Sequence, residues 1–164
     1  MSPDTSPRSM YATRLLLAFV GIVFVAASVM KGMAINDFAR VLAHLASWVS
    51  SVDASRDAAR AVAIGVVAWE ACLGLMLVVN RPGRRTTLLA LVTMLVFTGV
   101  LIGLWIDPAP TGCGCLGIAS SALGPREDAM VGVVRNVALL LVIVSAMHLS
   151  RREREPATSH TASV

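Results

Sequence analysis

The sequence predicts an all-α integral membrane protein: four transmembrane helices in a bundle, with a short amphipathic helix on the exoplasmic side. Three observations carry that prediction. Only 15% of the 164 residues are charged, against 56% hydrophobic, whereas soluble domains carry about 25% charge. The apolar residues gather in four runs, each of about 20 residues and so long enough to cross a hydrocarbon core about 30 Å thick. The arginines gather at the ends of those runs, with no basic face of interleaved aromatics. The net charge of +4 therefore speaks for orientation in a bilayer and against a nucleic-acid partner.

The first run spans Leu15 to Ala34 and is broken only by Lys31 near its end. Arg8 and Arg14 precede it, as they would a secretory signal. A signal's apolar core is about 7–15 residues; this run is longer, so a spanning helix is expected. The link that follows, "NDFARVLAHLASWVSSVDASRD", places Phe38, Val41, Leu42, Leu45, Trp48, Val49 and Val52 at helical spacing on one face. Asn36 or Asp37 is expected to cap this helix. It either lies on the membrane surface with Trp48 at headgroup depth or packs across the top of the bundle. The second run, Ala59 to Val79, holds Glu70. The third, Thr87 to Ile106, holds no charge, and the fourth, Ala129 to Leu149, holds Arg135. No internal repeat is present. Residues 1–150 thus form one membrane domain, and the polar tail 151–164, "RREREPATSHTASV", is expected to be disordered.

Orientation follows from the connections. The link "NRPGRRT" carries Arg81, Arg84 and Arg85 without an acid; the tail carries Arg151, Arg152 and Arg154, and the N-terminal flank Arg8 and Arg14. The positive-inside rule makes these three regions cytoplasmic. Both termini then face the cytoplasm of a bacterial inner membrane, and the two longer links lie outside. The cations near the outer ends (Lys31, Arg40, Arg56, Arg60, Arg126, Arg135) have acids among them.

Two of the three cysteines, Cys113 and Cys115, fall in the second outer link, in "TGCGCLG". Disulfides persist on the oxidising side of a membrane. Across a single residue, a relaxed disulfide geometry is hard to reach, and Gly114 supplies the backbone freedom it needs. Strained, exposed disulfides are the labile ones, while a ring this small restricts little unfolded-chain entropy. Such a pair reads as exchangeable rather than as a staple. Two other readings stand beside it: idle thiols in a glycine-rich turn, and a soft thiolate pair for Cu(I) or Zn. A metal needs further ligands, and His148 and His160 belong to the opposite side, which leaves His44 alone; no metal site is expected.

The remaining cysteine, Cys72, is expected to be a buried small apolar residue of the second span. Glu70 lies mid-span in "VVAWEACLG", where a carboxylate is costly unless paired or protonated. Lys31 and Arg135 lie in the outer half of their spans, where long basic side chains reach down toward Glu70 or up to the headgroups. A Glu70–Arg135 pair inside the bundle is expected, either as a clamp on helix packing or as a proton-handling group. Asn136 follows Arg135 and can hydrogen-bond across helices.

From about Leu15 to Leu149 the chain resembles the MauE-type proteins of methylamine utilisation, within the wider DoxX-like group of four-helix membrane proteins. The segments that carry the resemblance are "VMKGMAINDFARVL", "WEACLG", "CGCLG" and "VVRNVALLL". The CGC-x-G motif followed about twenty residues later by Arg-Asn is the most specific of them. Leu116 stands where an aromatic residue or glycine is common, and no acid directly precedes Cys113. The resemblance implies an inner-membrane protein of thiol–disulfide chemistry. Such a protein acts with a thioredoxin-like partner while the disulfide-rich small subunit of methylamine dehydrogenase matures. It implies Cys113 and Cys115 as the redox pair and Lys31, Glu70, Arg135 and Asn136 as the membrane polar set. A thiol–disulfide oxidoreductase is the function expected. The alternative is a non-catalytic scaffold that docks a partner, its thiols incidental. A transporter is motivated by Glu70 alone, and four unbroken runs argue against it. No cofactor is firmly implied, although re-oxidising the thiol pair calls for a quinone or another protein.

Overall fold

The computed structural model describes residues 7–49, 55–79, 83–109 and 124–152. They form five helices: α1 (Pro7–Met33), α2 (Ile35–Val49), α3 (Arg56–Val79), α4 (Arg84–Ile106) and α5 (Pro125–Arg152). No strand occurs among the described residues. The four long helices α1, α3, α4 and α5 are each apolar and long enough to cross a membrane. They alternate in direction and close into a ring in which α1 touches α3 and α5, and α4 touches α3 and α5. α1 therefore faces α4 across a diagonal, as α3 faces α5. α2 lies across one end, against α3.

Each spanning helix begins several residues before its apolar run, because polar first turns carry their own start signals. Ser55 caps α3: its Oγ accepts from the Ala58 N–H at 3.2 Å and its carbonyl from Ala59 at 3.0 Å. This places the helix start at Arg56, three residues ahead of the apolar run. Pro125 opens α5, and the Glu127 carboxylate reaches back to the Gly124 N–H at 3.3 Å, the reciprocal half of a capping box. α4 ends where Asp107 leaves the helical region ahead of Pro108 (φ −121°, ψ 87°), since a following proline disfavours helical angles.

α1 and α2 are separated by Ala34 alone. Its carbonyl accepts from both Asp37 and Phe38, each at 3.0 Å, so the ladder re-forms around one residue and the chain turns across the bundle. Asn36 and Asp37 are consequently inside the first turn of α2 and do not cap it; Asp37 pairs with Arg40 instead. The apolar face of α2 packs downward. Phe38 and Ala39 join Ala59 and Ala63 of α3, and Val41 joins Leu101 and Leu104 of α4 and Ala129 of α5. Trp48 lies against Gly103, where an added Cβ would come within 2.7 Å of its ring. Of the two placements expected for α2, the structure takes the one across the bundle's top. Val52 lies outside the described residues.

The main core sits at the opposite half, where Val20 and Phe24 (α1), Leu73 and Leu77 (α3), Ala90 and Met94 (α4), and Leu139 and Ile143 (α5) meet. α1 and α3 approach most closely at Gly21 and Gly74. A Cβ on either would lie 2.7 Å from the other's carbonyl oxygen, which is the close small-residue contact that membrane helices favour. Large apolar side chains such as Phe19, Ile22, Leu75, Val92, Leu95 and Leu141 are left bare on the outside. Cys72 is on this outer face and exposed, contrary to the buried position expected of it. Glu70, Leu73, Gly74 and Leu77 line the buried stripe of α3, and two residues past Glu70 is a rotation of about 200°.

Candidate functional site

Between the main core and the cluster beneath α2 lies a polar layer. Helical spacing places it. Glu70 is one turn from Leu73, Phe97 one turn from Met94, and Asn136 one turn from Leu139, each on the α2 side. Lys31 and Glu70 are both almost fully buried and form an ion pair between α1 and α3. Gly32 is level with Val67, so the Lys31 side chain descends about one turn to reach the carboxylate. Its ammonium also sits 4.6 Å from the centre of the Phe97 ring and 5.4 Å from that of Phe38. Phe97 belongs to α4, diagonal to α1, so the charge is held near the bundle axis. One carboxylate oxygen and two ring faces replace the water this ammonium has lost.

Glu70 therefore pairs with Lys31, and the expected Glu70–Arg135 pair does not form. The ring order is the reason. α1 is adjacent to α3, whereas α5 lies across the diagonal. Arg135, half-buried on α5, donates to the Asn136 Oδ1 at 3.3 Å. Asn136 is 1% exposed. Its Nδ2 donates to no described residue and the Glu70 Oε2 accepts from none, which leaves donor and acceptor capacity unused in the buried layer. Buried groups of this kind take a partner, often an ordered water.

A second polar cluster ties α2 to the end of α4. The Trp48 indole N–H donates to the Asp107 Oδ2 at 3.0 Å. His44 Nε2 is 3.5 Å from the same oxygen, and the His44 and Trp48 rings meet edge to face at 5.6 Å. From Asp107 the chain runs through Pro108 and Ala109, buried beside Val41, toward Cys113 and Cys115. Those two cysteines lie outside the described residues. Asp107 and Phe97 went unmarked in the sequence. A carboxylate directly before a helix-ending proline was a readable signal, whereas a phenylalanine in an uncharged span gives none.

Four apolar helices closed around a buried ion pair, with bare apolar side chains outside, define a multi-pass membrane protein. The family model described as methylamine utilisation protein MauE matches residues 9–149, and the chain belongs to that family. No curated protein and no solved structure matches it.

Proposed function

We propose that this protein is the membrane component of a thiol–disulfide relay, with Cys113 and Cys115 as its exchanging pair and a thioredoxin-like protein as its partner. The relay serves maturation of a disulfide-rich periplasmic protein such as methylamine dehydrogenase. Membership of the MauE family, over a match that includes the CGC motif, is the observation that supports the reading most. A thiolate of the partner attacks one sulfur of the Cys113–Cys115 disulfide. The S–S bond breaks, a mixed disulfide forms, and the departing sulfur takes up a proton. The partner's second thiol then displaces the bound cysteine, so two electrons and two protons have moved from the partner to the pair. In the reverse direction the same steps oxidise Cys113 and Cys115. The proposed setting is the inner membrane with both termini cytoplasmic, which puts the pair on the oxidising side. Lys31, Glu70, Arg135 and Asn136 form the polar set that holds the bundle beneath it.

The test is differential labelling of intact cells with a membrane-impermeant maleimide, before and after mild reduction. Cys113 and Cys115 are expected to label only after reduction. Cys113→Ser and Cys115→Ser are each expected to abolish maturation of the partner while the protein still inserts. Failure to label from outside would remove the oxidising compartment from the argument. Maturation that survives loss of both thiols would make the protein a scaffold.

A further inference from the structure

A cleft of about 560 Å³ opens between α2 and the start of α3, lined by Arg40, Arg56, Asp57 and Arg60 around a floor of small residues, among them Ala39 and Ala59. Three guanidiniums face one carboxylate there. Arg56 and Arg60 stand one turn apart on α3, a mildly unfavourable like-charge spacing that an anion shared between them would relieve. Neither forms an ion pair with a described residue, while Arg40 shares its charge with Asp37. Ser55 already caps one of the first N–H groups of α3, that of Ala58.

We propose that this cleft holds the phosphate headgroup of an anionic phospholipid. Guanidinium forks match phosphate oxygens in pairs, and basic pockets between membrane helices are suited to lipid headgroups. The depth also fits. Arg56 and Arg60 flank the start of the apolar run of α3 at Ala59, the level at which a headgroup phosphate is expected beside a spanning helix. One turn past Arg60 on the same face, Ile64 is 55% exposed and offers an apolar surface for the start of an acyl chain. The volume exceeds what a lone phosphate ion needs. The inference is independent of the thiol chemistry.

The test uses the full chain in micelles carrying equimolar dioleoyl phosphatidylglycerol and dioleoyl phosphatidylcholine, with retained lipid counted by native mass spectrometry. The wild-type protein is expected to keep phosphatidylglycerol in preference. Arg56→Gln with Arg60→Gln is expected to lower that preference by about fivefold for each arginine removed. Arg60→Gln alone, a single exposed change, gives a second reading of about fivefold should the double variant fold poorly. Arg84→Gln with Arg85→Gln removes two exposed arginines at the other end of α3's connection to α4 and is expected to leave the preference unchanged. The proposal is overturned if the wild type shows no preference, or if both double variants lose it equally, since the attraction is then diffuse. It is equally overturned if inorganic phosphate displaces the lipid as well as phosphatidylglycerol itself does, since the site then takes a free anion.

Discussion

At the scale of single residues, the Lys31–Glu70 pair decides how the bundle's interior tolerates charge. Both groups are buried, so each depends on the other for what water would have supplied. Removing one partner strands the remaining charge, at a cost of about 3–5 kcal/mol, whereas replacing both by apolar residues of similar volume is often neutral or stabilising. Lys31→Met and Glu70→Leu are therefore each expected to lower the unfolding midpoint of the protein in micelles steeply. The double variant is expected to recover most of the loss. Equal, additive losses in the double would mean that the two side chains do not depend on each other. The charges themselves were legible in the sequence, because an ionisable residue inside an apolar span stands out. Their pairing was not. Lys31 and Arg135 both lie in the outer half of their spans, and spacing along a helix encodes depth and face but not neighbours; which helix adjoins which is fixed by the ring order. Cys72 was misread for a related reason: its buried or outward face depends on rotation about the α3 axis, which an apolar run with no polar stripe does not reveal.

At the scale of elements, packing between helices is set by small residues and by the end of α2. At the α1–α3 crossing an added methyl on Gly21 or Gly74 would meet a backbone carbonyl, which cannot rotate aside as a side chain can. Gly21→Ala and Gly74→Ala are each expected to destabilise the bundle by about 1–3 kcal/mol through overpacking, measured by denaturant unfolding in micelles. Gly65→Ala, where nothing lies within 4 Å of an added Cβ, is the control and is expected to change little. Trp48→Phe loses the indole bond to Asp107, worth about 0.5–1.5 kcal/mol, together with the benzo ring that lies on Gly103. The expected readout is faster amide exchange in α2, with α3 to α5 unchanged. The apolar stripe of α2 was legible from its spacing, but not its resting place. A stripe names a face that must be covered and leaves open whether lipid or protein covers it. The helix starts were placed late where apolar content alone was followed; Ser55 and Pro125 mark them through capping chemistry instead.

At the scale of the whole molecule, four apolar spans with most of their large side chains bare make sense only if the surrounding medium is apolar. The alternation of span and link was legible because the bilayer imposes a length of about 20 residues on each crossing. Cys72 offers a direct probe of that medium. It is exposed, and its position seven residues before the end of α3 at Val79 puts it about 10 Å along the axis from that end. Lipid around it would exclude a charged, membrane-impermeant reagent. With Cys113→Ser and Cys115→Ser in place, Cys72 is the single thiol of the chain. A membrane-impermeant maleimide is then expected to leave it unlabelled from both sides of intact and of inverted vesicles. The same reagent is expected to label it fully once the bundle is dissolved in sodium dodecyl sulfate. Labelling in intact or inverted vesicles would mean that water reaches this face of α3. The bare apolar side chains around it would then have to line an aqueous path or an interface, and the four-span arrangement would lose its account of why they are bare.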